Sequence, residues 1–167
     1  DDTDRAGVGR RHMKIVIAQN EKGKEKLLEE LKEKLLRSCP AAVVEILWDE
    51  GKGEPPYEEI RKADPELFIN FDLAGFEQTT LTGGVVYNLL NAKQIHILLK
   101  DNLANEKYLQ KQLSISMFFY CVGHRYLEHL SRSYPDIPFL KEIGEDGGAD
   151  AICQAAMEVM EICHIRT

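Results

Sequence analysis

Five strand-length apolar runs alternate with helix-like segments along this chain. Each run is continuously apolar rather than alternately apolar and polar, which is typical of strands covered on both faces. Strands that alternate with helices favour βαβ units and a parallel sheet. We therefore predict an α/β fold, with a three-layer α/β/α arrangement around a mostly parallel five-stranded sheet, either Rossmann-like or flavodoxin-like. The predicted strands are residues 13–19, 42–47, 67–71, 94–99 and 115–122.

Helical periodicity is clearest in two of the intervening segments. Residues 22–38 place leucines along one helix face, and residues 151–164 repeat apolar residues at helical spacing. The first of these helices should end before Pro40, because a residue that precedes proline is disfavoured in the α conformation. Shorter helices are predicted at residues 57–62, 85–91, 103–112 and 124–134, and residues 135–150 are predicted to be irregular.

The length of the chain, 167 residues, suits one domain with a well-buried core. Residues 1–12 are polar and end in His12 directly before the first predicted strand. We predict that these residues are a tag or a disordered leader. The single α/β domain is then predicted to span residues 13–167.

Net charge and cysteine spacing argue against several kinds of partner. The formal net charge is −7, and no cluster of Lys and Arg forms the basic footprint that nucleic acids or anionic membranes attract. The apolar runs are also shorter than the roughly 18–20 residues of a membrane span. The four cysteines are widely spaced and form no metal-ligand pair. We therefore predict no nucleic-acid partner, no membrane partner, no metal site, and a cytoplasmic protein with reduced thiols.

The loop after the third predicted strand, residues 72–84, is the best candidate for a ligand site. In a doubly wound sheet, ligands bind at the carboxyl ends of the strands. Glycines let a ligand approach the backbone, and free amides at a helix start attract a phosphate or a carboxylate. Thr and Gly are also ordinary capping and turn residues, so that alternative stays open. The predicted ligand-binding residues are Gly75, Thr79, Thr80, Thr82, Gly83 and Gly84.

Two common nucleotide-binding motifs are absent from the loops that should carry them. The loop after the first predicted strand, residues 19–24, lacks the G-x-G-x-x-G pattern of dinucleotide-binding proteins. Residues 72–84 lack the G-x-x-x-x-G-K-[ST] pattern of a P-loop. We therefore predict that the protein has no cofactor. We predict instead that it binds a small polar or phosphorylated ligand.

Asp72, Glu77 and His124 are the candidate catalytic residues. The two carboxylates lie on the loop after the third strand, and His124 follows the end of the fifth. Carboxylates and imidazoles serve as general acids and bases. Solvated loop acids and a capping histidine remain the alternative. His96, by contrast, lies inside the fourth strand, which predicts a buried, hydrogen-bonded core histidine.

The stretch from Glu66 to Leu99 runs from an apolar strand through a polar, glycine-containing loop and a helix to the strand Gln94–Leu99. This order resembles the middle of the N-terminal Rossmann-like half of GT-B glycosyltransferases, and it covers about a fifth of the chain. The resemblance is one of architecture and not of a motif. It implies a stand-alone half without the nucleotide-sugar-binding half, and an acceptor or partner site in the loops after the strands.

Three functions are consistent with these patterns. The leading prediction is a small-ligand-binding domain, glycosyltransferase-related, with the ligand at the carboxyl ends of the strands. The alternative is a non-catalytic interaction protein, as a homodimer or as a subunit of a larger assembly, since Trp48, Tyr57 and Phe76 fall in or beside predicted loops. A further alternative is a small transferase or hydrolase.

Overall fold

The computed structural model describes residues 12–19, 21–48, 57–144 and 148–165. Within these residues, six parallel strands form one sheet in the order β2-β1-β3-β4-β5-β6. The predicted α/β fold is confirmed, but the sheet has six strands instead of five because β6 lies in the stretch predicted to be irregular. The strands are β1 (Lys14–Gln19), β2 (Val43–Trp48), β3 (Leu67–Phe71), β4 (Lys93–Leu98), β5 (Met117–Val122) and β6 (Leu140–Ile143).

Four α-helices are present in the described part of the chain. They are α1 (Glu25–Ser38), α2 (Tyr57–Ala63), α3 (His124–Ser133) and α4 (Ala149–Ile162). Two predicted helices are wrong in type and length. Residues 85–91 contain only a 3₁₀ turn at Val86–Leu89, and residues 103–112 contain a 3₁₀ turn at Glu106–Gln110. None of the described helices has both the length and the apolar character that a bilayer span requires.

The two faces of the sheet are buried by different layers. Ile15 and Ile17 point to the face covered by α1 and α4, where they join Leu31 in one core. Val16, one residue along, points to the opposite face and belongs to a second core with Leu130 of α3. Successive strand residues point to opposite faces. The apolar runs are therefore continuous because helices or turns cover both sides.

The strand order reverses its direction between β1 and β3. The chain leaves β1 through α1 to reach β2 on one side, whereas it leaves β3 toward β4 on the other side. The loops at the carboxyl ends of β1 and β3 therefore diverge. A divergence of this kind opens the crevice in which open α/β sheets bind their ligands.

Candidate functional site

Asp72 follows β3 directly and joins the carboxyl ends of β3 and β4. Its backbone amide donates to the carbonyl of Ile97 at 2.7 Å. Its Oδ1 atom accepts hydrogen bonds from the backbone amides of Leu99, at 2.7 Å, and Lys100, at 3.1 Å. Two donors on one oxygen fix the orientation of the carboxylate.

The second carboxylate oxygen of Asp72 has no hydrogen-bond partner in the part of the chain that the structure describes. Oδ2 is buried and makes no hydrogen bond among the described residues. Burial raises the pKa of Asp72, although the amides of Lys100 and Leu99 oppose that shift. A buried acceptor that makes no hydrogen bond is costly, and such groups in native proteins frequently have a catalytic or binding role.

The backbone around Asp72 is strained. Asp72 has φ +50° and Leu73 has φ +57°, both in the left-handed region that residues other than glycine rarely occupy. The chain then turns tightly, with the amide of Ala74 donating to Phe71 and the amide of Phe76 donating to Leu73. Strained residues of this kind cluster at active sites and ligand clamps.

An ion pair crosses the carboxyl end of β3. Lys100 Nζ lies 2.5 Å from Glu21 Oε1. Glu21 belongs to the loop after β1 and Lys100 to the loop after β4, and β3 lies between these two strands. The pair therefore spans the switch point at which Asp72 sits, and its charges act on the Asp72 carboxyl group.

Three buried polar side chains, Asn70, His96 and Gln94, form a hydrogen-bonded chain that contacts the loop after β3. Asn70 Nδ2 donates to the carbonyl of Ala74 at 2.9 Å and lies 3.3 Å from Nδ1 of His96. Since Nδ1 accepts, Nε2 carries the proton and donates to Gln94 Oε1 at 3.0 Å. Burial lowers the pKa of His96 to about 3, so the ring is neutral. The prediction of a hydrogen-bonded core histidine is confirmed.

Most of the predicted ligand-binding residues lie in a small hairpin. Thr79 pairs with Val85, and the amide of Thr80 donates to the carbonyl of Gly84 at 2.8 Å. The amide of Gly84 donates to Thr80 Oγ1 at 3.2 Å, and the hydroxyl groups of Thr80 and Thr82 bond each other at 3.0 Å. These amides are therefore engaged within the hairpin.

Further hairpin amides are engaged in the same way. The amide of Gly83 donates to Thr80, and that of Val86 donates to Gln78. Gly75 is separate from the hairpin, since it packs against the Tyr87 hydroxyl group. A role for these residues in ligand binding stays a prediction.

Of the other two candidate catalytic residues, Glu77 lies on the same loop as Asp72, and His124 lies at the end of β5, two strands away. Glu77 Oε2 accepts from Asn105 Nδ2 at 2.8 Å. His124 Nε2 lies 3.0 Å from Glu128 Oε1, and its Nδ1 lies 3.5 Å from Glu142 Oε2 on β6. Because β4 separates β3 from β5, the ends of these strands are about 10 Å apart. Joint catalysis by Asp72 or Glu77 with His124 stays a prediction.

The aromatic residues expected at an interface have different positions. Phe76 is fully buried, which corrects the expectation of an exposed loop residue. Tyr57 is partly buried in α2. The side chain of Trp48 and the loop 49–56 lie outside the described residues.

Two cavities among the described residues lie away from Asp72. A cavity of about 500 Å³ lies between α1 and α4, and one of about 170 Å³ lies between β6 and α4. Neither cavity is lined by Asp72. No group of three or more His, Cys, Asp or Glu side chains in the described ranges is arranged to hold a metal ion.

Comparisons with known protein families and with curated proteins find no match for this chain. Two residues of the candidate site, Glu21 and Lys100, were not singled out from the sequence. Each lies within two residues of a strand's carboxyl end, a position that the fold makes informative.

Proposed function

We propose that this protein binds a small ligand rich in hydroxyl or amino groups, such as a sugar or a nucleoside, at the carboxyl ends of β1 and β3. Asp72 is the anchor of this site. The observation that carries the proposal is the Asp72 carboxylate, whose Oδ1 is fixed by two backbone amides while Oδ2 has no hydrogen-bond partner among the described residues. A carboxylate oriented in this way accepts a hydrogen bond from a ligand hydroxyl or amine.

The groups around Asp72 favour a ligand that donates hydrogen bonds over an anion. Glu21 adds a second carboxylate, and Lys100 is already paired with it. The hairpin amides of Thr80 and Gly84, which would suit a phosphate, donate within the hairpin. Among the described residues, Oδ2 of Asp72 therefore offers a ligand a hydrogen-bond acceptor at the switch point.

Ligand entry requires the Glu21–Lys100 pair to separate, because Oδ2 of Asp72 is buried while the pair spans the end of β3. The pair is solvent-exposed, and exposed ion pairs contribute only about 0–1 kcal/mol to stability. A ligand that hydrogen-bonds Asp72 and Glu21 readily replaces so weak a pair. The architectural resemblance to the N-terminal half of GT-B glycosyltransferases is in keeping with a sugar-containing ligand.

The first experiment is a thermal-shift screen against monosaccharides, nucleosides, nucleotide-sugars and sugar phosphates. A ligand present at about 100 times its dissociation constant raises the melting temperature by about 5–10 °C in a domain of this size. Binding of the best compound is then measured for Asp72→Asn. This variant keeps an oxygen for the amides of Leu99 and Lys100 and replaces only the unpartnered acceptor with a donor.

We expect Asp72→Asn to weaken binding at least about tenfold, because a hydrogen bond to a charged group contributes about 1.5–3 kcal/mol. The matched control is Asp101→Asn, which removes the same charge from an exposed residue on the same edge of the sheet. Equal affinities of wild type and Asp72→Asn would exclude Asp72 as the anchor. A compound that binds Asp101→Asn as weakly as Asp72→Asn would indicate a general charge effect instead of a site.

A further inference from the structure

Three large apolar side chains are far more exposed than the others in the described part of the chain. Leu81 is 109% exposed, Ile115 is 85% exposed and Leu89 is 63% exposed. They lie on three different segments: the tip of the hairpin, the loop before β5 and the turn Val86–Leu89. Single exposed apolar residues are common, but a group of them on one surface marks an interaction site.

The side chain of Asn88 connects the turn Val86–Leu89 to the hairpin and to the loop before β5. Its Nδ2 donates to the carbonyl of Gln112 at 2.8 Å, and its Oδ1 accepts from the amide of Ser114 at 2.9 Å. Gly84 of the hairpin packs against the same Asn88 amide group. Residues 79–91 and 107–116 together form what we call the apolar surface.

The charge of the apolar surface is opposite to that of the chain as a whole. The chain has 28 acidic residues and a net charge of −7, yet residues 79–91 and 107–116 contain no Asp or Glu. The Lys residues of these two ranges are Lys107 and Lys111. The ammonium groups of Lys107 and Lys111 lie 5.3 Å and 5.8 Å from the ring centre of Tyr108, beside the apolar surface.

Three carboxylates lie at the margin of the apolar surface. Glu77 is bonded to Asn105. Glu106 accepts hydrogen bonds from Tyr126, His129 and Tyr134 and is thereby turned toward α3. Glu66 lines a cavity of about 240 Å³ together with Lys93. The basic groups of the apolar surface are therefore Lys107 and Lys111, beside Tyr108.

We infer that the apolar surface docks on an anionic lipid bilayer. Leu81, Leu89 and Ile115 enter the boundary between headgroups and hydrocarbon, and Lys107 and Lys111 face the lipid phosphates. A bilayer accepts separate side chains from protruding loops, whereas a protein partner needs a shaped complement to each. Carboxylates on the far side of the molecule lie beyond the Debye length of about 8 Å and are screened. The net charge of −7, which predicted no membrane partner, does not describe this surface.

The test is co-sedimentation of the full chain with vesicles of phosphatidylcholine alone or mixed in equal parts with phosphatidylglycerol. We expect binding to the mixed vesicles that weakens as salt is added, and little binding to phosphatidylcholine alone. Leu81→Ser should weaken binding about tenfold, because it removes a leucine from the hydrocarbon boundary. Lys107→Gln and Lys111→Gln should each weaken it about fivefold.

Matched controls lie on the opposite face of the molecule. Ile162→Ser changes a side chain that is 48% exposed on α4, and Lys26→Gln removes a charge from α1; neither should alter binding. Failure of the wild type to bind the mixed vesicles would overturn the inference, as would equal binding of Leu81→Ser. Concentration-dependent dimers that Leu81→Ser dissociates, without vesicle binding, would overturn it and assign the surface to a second copy of the chain.

Discussion

At the scale of single residues, Gly75 shows how little space the loop after β3 leaves. Gly75 has φ +90°, and a Cβ atom there would lie 2.2 Å from the Tyr87 hydroxyl oxygen. We expect Gly75→Ala to lower the free energy of unfolding by about 2–5 kcal/mol, the sum of left-handed strain and overpacking. Gly83→Ala is the matched control. It has φ +88° but open space around its Cβ, so only the strain of about 1–2 kcal/mol applies.

Urea denaturation of both variants measures this difference. Equal losses for Gly75→Ala and Gly83→Ala would mean that Tyr87 moves aside at no cost, contrary to the close packing of its ring against Phe68 and Phe76. The glycine was predicted from the sequence as a ligand contact. Its partner, Tyr87, is twelve residues away and is identified only by the fold.

His96 makes the stability of the protein depend on pH. Its pKa falls to about 3 in the folded state, whereas an unfolded histidine has a pKa of about 6.5. The unfolded state therefore binds the proton more tightly. The stabilising contribution is complete above about pH 6.5 and declines by about 1.4 kcal/mol for each pH unit below that value.

Comparison of the wild type with His96→Gln isolates this effect, because the two proteins differ at this residue alone. Between pH 6.5 and pH 5 we expect the wild type to lose about 2 kcal/mol more than the variant, as measured by urea denaturation. Parallel pH profiles would show that His96 binds its proton as tightly in the folded state as in the unfolded state. The assignment of Nδ1 as the acceptor from Asn70 would then be wrong, because both ring nitrogens of a protonated histidine carry hydrogen.

At the scale of elements, local patterns predicted five of the six strands and missed the edge strand β6. β1, β3, β4 and β5 are apolar on both faces, so their composition alone identified them. The edge strand β6, Leu140–Ile143, carries Lys141 and Glu142 in its middle and is only partly buried, which gives no apolar run. The prediction of a helix at residues 85–91 was based on a short apolar segment. Hydrophobic periodicity does not distinguish a helix from a turn in so short a segment.

Glu106 attaches the turn Glu106–Gln110 to α3, and its substitution tests how much this attachment stabilises the protein. Its carboxylate accepts hydrogen bonds from the hydroxyl groups of Tyr126 and Tyr134 and from Nε2 of His129. Glu106→Ala should lower the free energy of unfolding by about 1–3 kcal/mol, because the buried Tyr126 hydroxyl group is left unpaired. Glu128→Ala removes a surface carboxylate of α3 and should cost less than about 0.5 kcal/mol.

Thermal and urea denaturation give both values. Equal effects of Glu106→Ala and Glu128→Ala would show that the Tyr126 hydroxyl group finds water without loss. The turn would then be attached to α3 by apolar packing alone.

At the scale of the whole molecule, strand order decides which side chains meet, and no local pattern encodes it. Asp72 was predicted as a loop carboxylate, but its bonds to Leu99 and Lys100 exist only because β4 lies beside β3. Glu21 reaches Lys100 because β1 lies on the other side of β3. The hairpin hydroxyl groups of Thr80 and Thr82 were recognised as a polar cluster, whereas their mutual bond depends on a fold of the loop that composition does not specify.

The proposed site also predicts that the Asp72 carboxylate, which serves ligand binding, lowers the stability of the whole domain at neutral pH. Burial raises the pKa of Asp72, so the folded state holds this proton more tightly than the unfolded state. The ionised carboxylate therefore destabilises the fold at neutral pH, and this penalty disappears as pH falls through the raised pKa toward the ordinary value of about 3.9. Asp72→Asn, which cannot ionise, should be more stable than the wild type at pH 7, and the difference should disappear in acid.

Urea denaturation across this pH range measures the free energy of unfolding of the wild type, Asp72→Asn and Asp101→Asn. The exposed Asp101 should show no such gain at any pH. If Asp72→Asn is less stable than the wild type at pH 7, the carboxylate is a structural clamp between β3 and β4. If the variant is more stable and loses ligand binding, the Asp72 carboxylate lowers the stability of the fold and is needed for binding. That combination is the behaviour of a binding residue.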